Sequence, residues 1–199
     1  MTDRPFVIGL TGNIATGKSA VARMLAGMGA RVIDADQVAH EVMRPGGPAY
    51  PLVVNAFGSE ILGADGTIDR AGLGAIVFRD PAALQRLEAA VHPATISELE
   101  RRIAEADEAV VVVEAIKLIE AGMHHHYDAL WVVTAPRTLQ IERLVATRAL
   151  KRKDAALRID AQPPQAEKAA LADVVIVNDG TLDDLRQKVE AAWAQITAR

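Results

Sequence analysis

The chain contains no cysteine. Disulfides, thiolate nucleophiles and cysteine-based zinc sites are therefore excluded, and the composition fits a reducing cytosol. A basic excess is also missing. The formal charge is −4 over 199 residues, so the balance does not point to nucleic acid, and any grip on an anionic substrate must be local. Hydrophobic runs are short, well under the ~20 residues that span a bilayer. Met1-Thr2-Asp3-Arg4-Pro5 leads straight into an apolar run, and no signal peptide is expected there. Internal repeats, low-complexity tracts and flexible linkers are absent. What remains is a half-hydrophobic chain, long enough for one domain or one domain with insertions. The expectation is a cytoplasmic protein, a monomer or small homo-oligomer, with neither membrane nor nucleic acid as partner.

Against that background one stretch stands out. Gly12-Asn13-Ile14-Ala15-Thr16-Gly17-Lys18-Ser19 fits G-x-x-x-x-G-K-[ST], the loop that cradles nucleotide phosphates. Its flanks agree with it. Phe6-Val7-Ile8-Gly9-Leu10-Thr11 suits a buried strand, and Val21, Leu25 and Met28 share the i, i+4, i+7 face of a helix. Backbone N–H groups between Gly12 and Gly17 can converge on an anion at the positive end of that helix. In this motif Lys18 reaches the β/γ-phosphates of the nucleotide and the Ser19 hydroxyl holds Mg²⁺.

Arg31-Val32-Ile33-Asp34 reads as a second strand, followed by a helix over 37–44 and a break at Pro45-Gly46-Gly47-Pro48. From about 49 to 106 the chain is helical, with Asp69 as an N-cap and Asp80-Pro81 as another helix start. Ala109–Val113 is a continuous β-branched run suited to a central parallel strand, with Glu114 directly after it. Leu130–Thr134 is a fourth strand and Pro136 opens a helix through about 147. Val174–Val177 is a fifth strand, and Leu182 to Ala198 a closing amphipathic helix. Strands alternating with helices imply an α/β fold, a parallel sheet with helices on both faces.

In open sheets of this kind, ligands sit beyond the carboxyl ends of the strands. Asp34, Asp36, Glu114 and Asn178 fall there. Phosphoryl transfer needs an acceptor hydroxyl in line with the γ-phosphate and a carboxylate to take its proton. Asp36 or Asp34 suits that role, and Asp36 equally suits the cap of a helix beginning near Gln37. A basic segment from Arg143 to Lys168 can fold over a nucleotide, although most of its charges read as solvated helix surface. His124-His125-His126 cannot all point one way from a regular element, and reads as a polar loop before the fourth strand.

Together these residues resemble dephospho-CoA kinase, over residues 6 to 194. The resemblance is carried by Gly9-Leu10-Thr11-Gly12 entering Gly17-Lys18-Ser19, by Asp34-Ala35-Asp36 with His40, and by Asp69-Arg70, Val77-Phe78, Leu87-Glu88 and His92-Pro93. It continues through Leu118-Ile119-Glu120, Glu142-Arg143-Leu144 with Arg148, Arg158 with Gln162, and Ala172-Asp173 leading to Asn178-Asp179-Gly180. It implies ATP-dependent phosphorylation of the ribose 3′-hydroxyl of dephospho-CoA, the last step of coenzyme A synthesis, with ATP and Mg²⁺ as cofactors. It implies a P-loop NTPase three-layer fold with a five-stranded parallel sheet: a core of 1–36, 107–147 and 169–199, a helical CoA-binding domain over 37–106 and a lid over 148–168.

The resemblance gives the base role to Asp36, places Arg148 near the ATP phosphates and Asn178 and Gly180 near the adenine, and puts Asp34, His40, Arg70 and His92 among the substrate contacts. Two departures stand out. Asn13, Ala15 and Thr16 replace the usual Gly, Gly and Ser; Asn13 suits a left-handed backbone, whereas Ala15 limits positive φ. Ile116-Lys117-Leu118 replaces the usual Pro-Leu-Leu, and Lys117 either meets substrate phosphate or is merely exposed. Competing readings are another small-molecule P-loop kinase, of nucleoside or shikimate type, and an ATP-binding regulator. A GTPase would need Asn-Lys-x-Asp, which the chain lacks.

Overall fold

In the computed structural model, which describes residues 4–197, the chain divides into two compact units, residues 34–105 and the remainder. The second of these carries the sheet. Strand β1 (Phe6–Thr11) is followed by α1 (Lys18–Gly27) and β2 (Arg31–Asp34). After the helical unit come β3 (Val110–Glu114), β4 (Ala129–Thr134), α6 (Arg137–Arg148), α7 (Arg152–Asp160), α8 (Gln165–Ala169), β5 (Val174–Val177) and α9 (Leu182–Thr197). The expected last residue of the closing helix, Ala198, lies outside the described residues. The five strands form one parallel sheet in the order β2-β3-β1-β4-β5.

Period-two alternation decides what each face carries. Register pairs Ile8 with Val112 and Ala129, Leu10 with Trp131, and Val133 with Ile176. Ile8, Leu10, Val112, Trp131, Val133 and Ile176 form one core with Val21 and Leu25 of α1 and Leu185 and Val189 of α9. α1 and α9 therefore cover the same face. On the other face, α8 packs against β4, and a Cβ on Gly9 would come within 2.7 Å of the Tyr127 ring and 3.3 Å of Leu118. Glycine at position 9 is what lets that side close down on β1. No helix among the described residues is long and apolar enough to cross a membrane.

The other unit contains α2 (Ala35–Val42), α3 (Tyr50–Phe57), α4 (Arg70–Val77) and α5 (Pro81–Ala104). Asp69 caps α4 through Ala71 N–H and Asp80 caps α5 through Ala82 N–H, each at 2.9–3.0 Å. α5 runs through Pro93, whose missing N–H leaves the Ala89 carbonyl without its helical donor. Several elements differ from the sequence-based expectation; β4, for one, starts at Ala129 rather than Leu130. α2 covers 35–42 rather than 37–44, because Asp34 supplies its cap. Glu114 is the last residue of β3, not the residue after it, and Ala109 gives only its carbonyl to Phe6 N–H. Met123–His126 is a turn of 3₁₀ helix rather than a loop, with the His124 and His125 rings 3.8 Å apart.

Candidate active site

In the sheet-bearing unit, β1 ends at Thr11, the loop 12–17 follows, and Gly17 caps α1 at φ 99°. Two glycines are dictated by space. A Cβ on Gly12 would lie 2.4 Å from the Val133 carbonyl oxygen, and one on Gly17 would lie 2.1 Å from Asn178 Nδ2. The loop's carbonyls are turned back into the protein. Asn178 Nδ2 donates to Thr16 O at 2.7 Å, Gln140 Nε2 to Ile14 O at 2.6 Å, and Arg143 Nη1 to Thr16 O and Ala15 O at 3.1 and 3.3 Å. No acceptor among the described residues takes the amides of Gly17, Lys18 and Ser19. An arc of outward amides at a helix N-terminus is what an anion requires.

The non-glycine residue of the loop with a left-handed backbone is Ala15, at φ 58°, although Asn13 is the one whose type suits it. Asn13 is instead buried, its Nδ2 donating to Pro163 O at 2.8 Å. Its side chain ties the loop to the far end of the basic segment, and the left-handed strain falls on a residue with a Cβ. Ile14 N–H donates to Gln162 Oε1 at 2.8 Å, so residues 162–163 are fastened to the loop twice.

The sequence puts Glu114 at a strand's carboxyl end, where ligands sit, but gives it no role there. Its Oε1 accepts from Lys18 Nζ at 2.6 Å and from Ser19 Oγ at 2.8 Å, in a position only 7% exposed. The available signal was its place directly at the carboxyl end of the most apolar strand. Arg143 and Gln140 were likewise missed as loop-holding groups, since nothing local to α6 distinguishes them. Arg148 is exposed at the last turn of α6, with no hydrogen bond or ion pair among the described residues. Asn178 is buried, with its Oδ1 accepting from Arg143 Nη2 at 3.1 Å, and Gly180 is exposed in the turn that follows. Thr181 and Asp184 form a capping box beyond it, at 2.8 and 3.2 Å.

Within the helical unit, Asp34 Oδ1 accepts from Gln37 N–H at 3.0 Å and is the N-cap of α2. Capping falls to Asp34, and Asp36 stands exposed in the first turn. His40 lies one turn on, four residues from Asp36 and on its face. His40 Nε2 meets Arg70 Nη2 at 2.6 Å; the guanidinium can only donate, so this nitrogen is the acceptor of a neutral ring. Burial, then the Arg70 charge, pull the His40 pKa below its ordinary value, against Asp36 and Asp34. His40, Arg44 and Arg70 line a cavity of about 440 Å³ with Met43, Leu73 and Leu87. Basic groups over an apolar floor suit a molecule carrying phosphate and an uncharged body. His92 does not line that cavity; it is half-buried on α5.

A dephospho-CoA kinase family profile matches residues 6–184. The chain belongs to the dephospho-CoA kinase family. A dephospho-CoA kinase of Geobacter sulfurreducens is 47% identical over 192 residues, covering 95% of this chain and 98% of that one. Another from Frankia casuarinae is 46% identical, covering 98% and 85%. A crystal structure of a Thermus thermophilus protein superposes with a TM-score of 0.84 at 33% identity, covering 96% of this chain and 98% of that one. A shikimate kinase from Bacteroides thetaiotaomicron, at 13% identity and a TM-score of 0.56, shares the fold alone. The chain's activity is that of the family, the final step of coenzyme A biosynthesis, and a kinase of this family uses ATP.

Proposed function

We propose that Asp36 is the group that takes the proton of the ribose 3′-hydroxyl of dephospho-CoA as the γ-phosphoryl group of ATP is transferred to it. The observation that carries this assignment is the division of labour at the start of α2. Asp34 provides the cap, so capping does not account for Asp36. In this reading Gly12, Asn13, Ile14, Ala15, Thr16 and Gly17 form the phosphate cradle, with Lys18 neutralising the β/γ-phosphates. Asn178 and Gly180 border the adenine. His40, Arg70, His92 and Lys117 contact the acceptor, together with the second carboxylate oxygen of Asp34.

Residues 37–106 then act as the acceptor-binding domain, residues 148–168 as a lid, and 1–36, 107–147 and 169–199 as the nucleotide core. In this reading Arg148, exposed and without an ion-pair partner among the described residues, brings charge to the transferring phosphoryl group. The Ser19 hydroxyl and the Glu114 carboxylate are hard oxygen donors held 2.8 Å apart, a set that fits Mg²⁺. When bound, the ion would neutralise charge on the β/γ-phosphates. The protein's own part is to orient the two substrates and to remove one proton. The absence of cysteine suits a reducing cytoplasm.

Asp36→Asn tests the assignment. Loss of a general base lowers kcat by about 10²–10⁴-fold, while the Kd for ATP stays within about threefold because the phosphate cradle is intact. Wild-type turnover in the variant would remove Asp36 from the base role.

A further inference from the structure

Lys168 is 4% exposed, which is rare for an ammonium. A buried charge of this kind is costly unless its protons are taken. Its Nζ donates to the Ile116 carbonyl at 2.6 Å and pairs with Glu120 at 3.1 Å, across some fifty residues of sequence. Ile116 O is held from a second direction by Thr11 Oγ1 at 3.1 Å, and Ala115 N–H donates to Leu10 O at 3.1 Å. From there the backbone coils into a turn, with Ala121 N–H on Lys117 O at 2.9 Å and Met123 N–H on Leu118 O at 3.0 Å. Leu118 is fully buried and Lys117 exposed.

This turn starts two residues beyond Glu114, which holds Lys18 and Ser19. Its first residue is thus fixed between the entrance to the phosphate loop, at Thr11, and α8. A methionine at 168 would fill the same volume without the desolvation cost, so packing alone does not account for a lysine. The lysine adds a charged donor at 2.6 Å to a carbonyl that Thr11 otherwise holds with a neutral hydroxyl at 3.1 Å.

We propose that Lys168 is a positioning residue for the acceptor: by holding Ile116 O and Glu120 it fixes the 116–122 turn and thereby aims Lys117 at a phosphate of dephospho-CoA. This rests on the reading of Lys117 as an acceptor contact. Lys168 touches neither substrate. It acts on the affinity for one of them, and leaves the nucleotide cradle, fastened by Asn178, Gln140 and Arg143, as it is.

The test is a double-mutant cycle of Lys117→Met and Lys168→Met, with KM for dephospho-CoA, KM for ATP and kcat measured well below the melting temperature. Each single variant raises KM for dephospho-CoA about tenfold, the order of one charge-assisted hydrogen bond. KM for ATP stays within about twofold. The double variant is no worse than Lys117→Met alone, because both changes remove one interaction. A lower melting temperature with unchanged KM in Lys168→Met would make Lys168 a structural pin and overturn the inference. Multiplying effects in the double variant would overturn it too. An unchanged Lys117→Met would instead overturn the acceptor reading beneath it. If Lys168→Met does not fold, Thr11→Val removes the other donor to Ile116 O. It should raise KM for dephospho-CoA about threefold, as loss of one neutral hydrogen bond does, and no rise would overturn the inference.

Discussion

The phosphate loop and the helices of residues 34–105 are held by different kinds of bond. Around the loop most of the holding is done by neutral amides: Asn13 to Pro163 O, Gln140 to Ile14 O, Gln162 to Ile14 N–H and Asn178 to Thr16 O, with Gln165 bonded to both Ala135 and Gln140. In the helical unit, the long-range tie between α2 and α5 is an ion pair, Glu41 to Arg102. Arg102 is shared with Glu98, which also binds Arg101. A cradle for a polyanion gains from fixings that leave its positive charge unspent. Neutral buried hydrogen bonds are also little affected by salt or pH, whereas partly exposed ion pairs feel both.

The largest effect is expected at Lys18, the loop's own ammonium, which pairs with Glu114 at 2.6 Å. Lys18→Ala should lower kcat/KM by about 10³-fold or more, as expected when a transition-state charge partner is removed, with ADP release as the assay. Next comes Gln140→Met. It leaves the Ile14 carbonyl without its donor in a site where the Gln140 side chain is 1% exposed. The expected cost is about 2 kcal/mol, read as a fall of roughly 6 °C in Tm that is the same at low and high salt. A salt-dependent fall would mean that the loop is held electrostatically after all.

Ala15→Gly probes strain in the same loop. The left-handed backbone costs a residue with a Cβ about 1–2 kcal/mol, part of which is offset by the entropy that glycine loses on folding. A net rise in Tm of about 2 °C is expected.

The helical unit should respond to acid. Glu98, bonded first to Arg101 and then to Arg102, is held at a pKa of about 2 against an ordinary 4.5. Arg102 likewise lowers Glu41. A depressed carboxylate contributes stability that is complete above pH 4.5 and lost as pH falls toward 2. Amide exchange in α2 and α5 should therefore accelerate over that window, and Glu98→Gln should flatten the response. Smallest of all, Arg101→Ala removes exposed pairs to Glu98 and Glu105. It should barely change Tm at low salt and leave it unchanged at high salt.

Local signals carried most of the element boundaries into the sequence. Strands β1, β2 and β5 follow from runs of β-branched and apolar residues, and α4 and α5 from Asp69 and Asp80-Pro81, because strand alternation, N-caps and proline act within a few residues. The phosphate loop was legible for the same reason. The start of α2 was less so. Asp34 and Asp36 are equally good caps by residue type, and only the backbone at residue 34 decides between them. Ala15 shows the same limit from the other side: by residue type Asn13 suits a left-handed backbone and Ala15 resists one, yet Ala15 adopts it while Asn13 is buried and bonded to Pro163.

By itself, then, the sequence determined the α/β class, the phosphate-binding loop and the family, since each rests on spacing along the chain. The tertiary structure decided which groups meet. Glu114 lies 96 residues from Lys18, Gln162 lies 148 from Ile14, and Lys168 lies 52 from Ile116. Over such separations no local propensity links the partners. They meet because a parallel sheet brings the carboxyl ends of its strands to one edge, and burial there leaves each polar group only the partners that the fold supplies.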